Sequence, residues 1–229
     1  MATVSADEWA SARQAYRERA PYSFAVIDDF LPSGVFNDVR DMLVRDGGWV
    51  RKNWQVTQLF NKQPPIPFLS EIVESVRDGL AELSEGLDLV KHWAVACHEN
   101  SGLHVHADNG RIAVNFWMTP DENNLAPEAG GLILYKLRRE PEMMPHEFNA
   151  MPWAGEYFER SQPSILCTIP YRCNRAVVFD ASIFHATDRM AFKSGSLDTV
   201  RLGVTMAFDD PGEYAARMSK YTTGGVKSE

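Results

Sequence analysis

Residues 102–120 read GLHVHADNGRIAVNFWMTP. His104, His106 and Asp108 crowd the head of this stretch, and an apolar run that reads as a strand follows at once. Side chains two apart on an extended chain project to the same side, so His106 and Asp108 face one point. Polar groups that resist burial, set at the start of a hydrophobic strand, are either a solvated strand end or half of a metal site. A lone His-x-Asp does not separate the two readings.

The other half is sought further along the chain. Residues 174–188 read NRAVVFDASIFHATD: a strand from Arg175 to Asp180 turns and delivers His185 just after Ile183 and Phe184. His106, Asp108 and His185 make a set of two histidines and one carboxylate. Such a set leaves coordination positions open and suits non-haem Fe(II) and oxygen chemistry. Beyond it lies VRLGVTMAF, residues 200–208. Alternation puts Val200, Leu202, Val204, Met206 and Phe208 on one face, and Arg201, Gly203, Thr205 and Ala207 on the other. A fork donor, a missing side chain and a hydroxyl then point into one space, which is how a pocket for a small carboxylate is built.

These segments together resemble the 2-oxoglutarate- and Fe(II)-dependent oxygenases of the double-stranded β-helix type. The resemblance covers most of the chain: FAVIDDFLPSGVFNDV, GLHVHADNG, GGLILY, and NRAVVFDASIFHATD with Arg201 downstream. It implies that His106, Asp108 and His185 ligate iron and that Arg201 holds the distal carboxylate of 2-oxoglutarate. It implies oxidation of an organic substrate with O2 and release of succinate and CO2. A carboxylate at Asp108 fills the position that a halide would need, which favours hydroxylation over halogenation. The sequence departs from the family pattern at Gly203, where a serine is common; Thr205, on the same face, is the alternative source of a hydroxyl.

Other residues carry weaker signals. His104 is a pocket-lining or substrate-contacting candidate; His104-x-His106 also resembles cupins, though ADNGR lacks the glutamate a cupin would want nearby. Asn115 and Tyr135 are candidate co-substrate contacts, with plain packing as the competing reading for each. Arg175 either positions the strand before His185 or pairs with an acid. His92, His98 and His146 have no spacing that recommends them. Residues 138–163, rich in Met, Pro and aromatics, read as a long loop, which is usually functional or disordered, and aromatic content disfavours disorder. Met143, Met144, Phe148 and Trp153 there are candidates for a lid over the substrate, Met144 and Trp153 as direct substrate contacts.

Around these motifs the chain divides by periodicity. Ser5 with Glu8 fits a capping box ahead of Trp9, Ala12 and Tyr16 at helical spacing. Val35, Phe36, Val39, Met42 and Leu43 mark a second helix stopped by Gly47-Gly48, and Ile72, Val73, Val76, Leu80 and Leu83 a third, ending near Gly86. Between the first two, SFAVIDDFL reads as a strand. After about residue 90, short β-like runs take over: HWAVACH, RIAVNFWMT, GGLILYKL, SILCTIPY, RAVVFD and VRLGVTMAF. The expected fold is mainly β with flanking helices, a jelly-roll core over about 91–210 preceded by a helical part over about 1–90, as one domain spanning 1–229.

Bulk properties limit the partners. A formal net charge of -8 argues against binding a nucleic-acid backbone. No run of apolar residues long enough for a membrane span occurs, no secretory signal is visible, and three unclustered cysteines argue against a disulfide framework. The expectation is a cytoplasmic enzyme, monomer or homodimer, acting on a small molecule such as an amino acid or natural-product intermediate. A protein side-chain hydroxylase of the prolyl type, or a non-oxidative cupin-like metal-binding barrel, are the alternatives.

Overall fold

A computed structural model describes residues 4–54, 56–97 and 102–223. Helix α1 (Ala6–Glu18) starts as its capping box demands: Glu8 N donates to Ser5 Oγ at 3.2 Å, and Ser5 N donates to Glu8 Oε2 at 3.0 Å. Helices α2 (Ser33–Arg45) and α3 (Leu69–Leu80) bury the apolar positions that their spacing marks. α1 crosses α3 at Gly79, where an added Cβ would lie 2.1 Å from the Trp9 ring.

Among the described residues ten strands form two antiparallel sheets. In chain order they are β1 (Phe24–Ile27), β2 (Val50–Trp54), β3 (Val56–Lys62), β4 (Asp88–Cys97), β5 (Ile112–Trp117), β6 (Leu132–Arg138), β7 (Ile165–Ile169), β8 (Ala176–Asp180), β9 (Ile183–Thr187) and β10 (Arg201–Asp209). The larger sheet has the order β1-β8-β5-β10-β4-β3-β2, and the smaller the order β7-β6-β9. Val200, Leu202, Val204, Met206 and Phe208 face the helices in one core. Each is at most 2% exposed, a contribution of roughly 1.5–3 kcal/mol per side chain. The opposite face of the large sheet packs on the small one through a second core that includes Val95, Trp117, Leu134, Val177 and Ile183. The chain is therefore a jelly roll with helices on the outside of one sheet.

Two expectations are corrected. SFAVIDDFL forms a strand as expected, with β1 paired to β8, but the rest of the part up to about 90 is not only helical, for the β2–β3 hairpin extends the large sheet through β4. Residues 138–163 are not a loop, for they contain helices α4 (Pro145–Asn149) and α5 (Trp153–Ser161). A further helix, α6 (Pro211–Thr223), follows β10. Among the described residues no helix is long and apolar enough to cross a membrane.

Candidate active site

β9 carries His185, and the segment with His106 lies beside it as an antiparallel bridge. His106 N donates to His185 O at 2.9 Å and His185 N to His106 O at 2.7 Å. Residues paired in this way project to one face. Asp108 is tied separately, its N–H donating to Ala181 O at 2.9 Å. The three ligand atoms fall within 4.8 Å of one another. His106 Nε2 is 3.8 Å from one Asp108 oxygen, and His185 Nε2 is 3.7 Å from the other. All three residues are at most 9% exposed.

The imidazoles are set for a metal. His106 Nδ1 lies 2.7 Å from His104 O, and His185 Nδ1 lies 2.9 Å from Ile183 O. A carbonyl only accepts, so each Nδ1 carries the proton and each Nε2 turns a lone pair inward. Burial, with His185 alongside, pushes the His106 pKa down to about 4, so the ring is neutral at pH 7 as a ligand must be. Two imidazoles and a carboxylate, converging in a buried space, fit an octahedral Fe(II) with positions left open.

The ligand loop is braced from below. Ala107 faces away from the ligands into a cluster with Phe148, Ala154 and Phe184. Its N–H donates to Phe148 O at 2.8 Å, and Asn149 Nδ2 donates to its carbonyl at 2.7 Å. Arg139 donates to Asp108 O at 3.2 Å and to Gly110 O at 2.7 Å. Gly110 has φ +133°, and an added Cβ would stand 3.2 Å from Phe208 O, so the loop can turn over β10 only with glycine there.

Deeper in, the inward face of β10 is as the alternation implied. Arg201 is 4% exposed, and donates to Gly130 O at 2.6 Å and Gly131 O at 3.4 Å. Among the described residues no carboxylate forms an ion pair with it, although a buried charge normally requires one. Thr205 and Asn115 are opposite each other across β10 and β5, with Asn115 Nδ2 donating to the Thr205 hydroxyl at 2.7 Å.

Several predicted residues are not brought to the ligand atoms. Tyr135 lies on the outer face of β6: its neighbour Leu134 pairs with the inward His185, while its own ring meets Phe158 of α5 edge-on at 4.7 Å. Phe148 is fully buried under the ligand loop instead of covering a substrate. Trp153, 43% exposed, has its ring against His146 at 5.4 Å on the same outer layer. Met144 is the N-cap of α4, with its N–H on Glu147. The lid is thus corrected to a brace, because Ala107 and Phe184, the residues the insert packs on, face opposite to His106 and His185. His104 contributes its carbonyl to His106, and its half-buried ring lies 5.9 Å from that of His106. His92 bonds to Pro64 O, and His98 lies outside the described residues. Arg175 grips Asp28 with two nitrogens, at 2.6 and 3.0 Å.

Two inward residues were not among the candidates for the site, although Trp117 shares the face of Asn115. Lys91 of β4 pairs with Ala207, whose Cβ lies 3.5 Å from the Cβ position at Gly110, so the lysine stands beside the ligand loop. Its ammonium is 5.1 Å from the Trp93 ring, and burial lowers its pKa. Trp117 of β5 is fully buried next to Arg201. Counting in twos back from Cys97, and on from Asn115, finds both.

The fold and the site define a class: jelly-roll proteins with a buried His-x-Asp…His triad and a buried arginine on the strand across the barrel. Comparison with solved structures agrees. The chain is similar to the non-haem α-ketoglutarate-dependent carbocyclase SnoK of nogalamycin biosynthesis, at 16% identity over 92% of this chain and 89% of that one, TM-score 0.58. It is similar to AviO1 from Streptomyces viridochromogenes, at 15% identity over 91% and 97% of the two chains, TM-score 0.58. A prolyl-4-hydroxylase of Pseudomonas putida matches at 12% identity over 86% of this chain and 98% of its own, TM-score 0.57. At these identities the likeness is one of fold: the chain has the fold of the 2-oxoglutarate/Fe(II) oxygenases. No protein-family model matches the chain, and neither does any curated protein sequence.

Proposed function

We propose that the chain is an Fe(II)- and 2-oxoglutarate-dependent oxygenase that oxidises a small organic substrate, with succinate and CO2 as co-products. The observation that carries this reading is the convergence of His106 Nε2, Asp108 and His185 Nε2 within 4.8 Å, with both Nδ1 atoms engaged by carbonyls. Fe(II), when bound there with 2-oxoglutarate and O2, supplies the oxidising chemistry. The protein's part follows from its residues. His106 and His185 keep their protons on Nδ1 and offer lone pairs. Asp108 supplies the third protein ligand and the negative charge that offsets part of the metal's. Arg201, buried with no acid partner among the described residues, holds the distal carboxylate of the co-substrate. Asn115 and Thr205 line the space between. The packed inward faces of both sheets exclude water.

Hydroxylation is the outcome favoured by a carboxylate in the third protein position. Net charge -8 supports a small-molecule partner over nucleic acid, and the free thiols Cys97, Cys167 and Cys173 fit a reducing, cytoplasmic setting. The test is a panel of amino acids and natural-product intermediates scored for succinate release that requires both Fe(II) and 2-oxoglutarate. Stimulation by at least one compound, lost in Asp108→Ala, is the expected result. Iron bound at the triad with no 2-oxoglutarate binding would refute it and favour a non-oxidative metal-binding barrel.

A further inference from the structure

Residue 203 is a glycine on the inward face of β10, between Arg201 and Thr205. A Cβ there would lie 3.2 Å from Trp117 Cδ1 and 3.9 Å from Trp117 Nε1, so the pyrrole edge of the indole borders the ground that a side chain at 203 would take. Trp117 pairs with Gly203 in the β5–β10 register and is fully buried. One face of its ring stacks on Tyr171, centroids 5.1 Å apart and planes 19° apart. Among the described residues its Nε1–H has no acceptor, an expensive state for a buried donor.

The Arg201 guanidinium carbon lies 5.4 Å from the same ring. The Arg201 guanidinium donates to two carbonyls, and among the described residues no carboxylate balances its charge. Thr205, whose hydroxyl accepts from Asn115, stands four residues along β10 from Arg201, roughly 13 Å at about 3.3 Å per residue, whereas Trp117 borders the guanidinium itself. A water would satisfy the indole but not the guanidinium; a carboxylate satisfies both. The ligand loop touches β10 at Ala207, so Arg201 and Trp117 stand at the end of the strand remote from the metal ligands.

We propose that the Trp117 indole N–H is the second donor, beside Arg201, to the distal carboxylate of 2-oxoglutarate. The assignment rests on the oxygenase reading above. It makes Gly203 the residue that opens room for the carboxylate, and Trp117 the residue that replaces a hydroxyl there.

Isothermal titration of the full-length Zn(II)-loaded protein tests this with two ligands: 2-oxoglutarate, and 2-oxobutyrate, which keeps the keto acid end and lacks the distal carboxylate. Trp117→Phe should weaken 2-oxoglutarate by about 10- to 100-fold, the range for losing a hydrogen bond to a charged group. It should leave 2-oxobutyrate and Zn(II) affinity unchanged. Adding Gly203→Ser to Trp117→Phe, which returns a donor at the same place, should recover most of the loss. In wild-type protein the Trp117 indole N–H resonance should move with 2-oxoglutarate and not with 2-oxobutyrate, a readout that needs no variant to fold. Equal weakening of both ligands means that Trp117 only packs, and overturns the proposal; so do an unchanged 2-oxoglutarate affinity and a static indole resonance. Wild-type protein that binds neither keto acid overturns the oxygenase reading and this assignment with it.

Discussion

Asn149→Ala separates a brace from a lid. Asn149 is half-buried at the end of α4, and its Nδ2 donates to Ala107 O at 2.7 Å, between the candidate ligands His106 and Asp108. Ala107 is fully buried, so the substitution leaves a buried carbonyl without its donor. That costs about 1–3 kcal/mol. The loop keeps its bond to Phe148 O and the two from Arg139, so the protein folds. If the cost is expressed as a mis-set loop, metal affinity falls by about 10- to 100-fold, the usual effect of losing a partner one step behind a ligand. Trp153→Ala, on the outer layer, should leave metal affinity alone. Urea unfolding of the apoprotein gives the stability change, and competition with a chelator gives metal affinity. The brace is refuted if Asn149→Ala holds metal within about twofold of wild type while Trp153→Ala weakens substrate or uncouples 2-oxoglutarate consumption from product.

Arg201→Lys should raise the apparent KM for 2-oxoglutarate with iron affinity intact, because an ammonium cannot replace a fork at a bidentate site; steady-state kinetics at fixed substrate reads it. Arg175, first by hydrogen bonding, holds the Asp28 carboxyl below its usual value of 3.8. A carboxyl with a depressed folded-state pKa stabilises above its unfolded value and loses that contribution as pH falls through the folded one. Asp28→Asn should therefore lower Tm at neutral pH, by an amount worth roughly 1 kcal/mol or less at this part-exposed position, and the gap to wild type should close in strong acid.

What was legible in the sequence was what a few residue types decide. Metal ligation calls on His and Asp, and the two-residue period fixes which side chains share a face, so spacing offers His106 with Asp108 and Arg201 with Thr205, and the structure brings ligand atoms of His106, Asp108 and His185 within 4.8 Å of one another. Alternation gives two faces, however, without saying which is inside. Ile133, Tyr135 and Leu137 share a face as expected, but it is the outer one, and α5 covers it with Phe158, which removes the polar pattern that would have marked it. The insert misled for a related reason. Pro145 and Pro152 break its pattern into short helices, and its aromatics pack on Phe184 and Ala107 behind the ligand loop, a contact set by tertiary structure alone. The β2–β3 hairpin went unread because a run such as VTQLFNK mixes both faces, and its place in the sheet comes from pairing with β4.

Anaerobic Fe(II) titration of wild type and Asp108→Ala tests the central claim most directly. Asp108 is 3% exposed between two imidazoles, so its removal relieves a buried polar group and the variant should fold with an unchanged circular dichroism spectrum. Wild type should bind one Fe(II) per chain and the variant none at the same concentration. A folded Asp108→Ala that binds Fe(II) with wild-type stoichiometry and affinity would contradict the account.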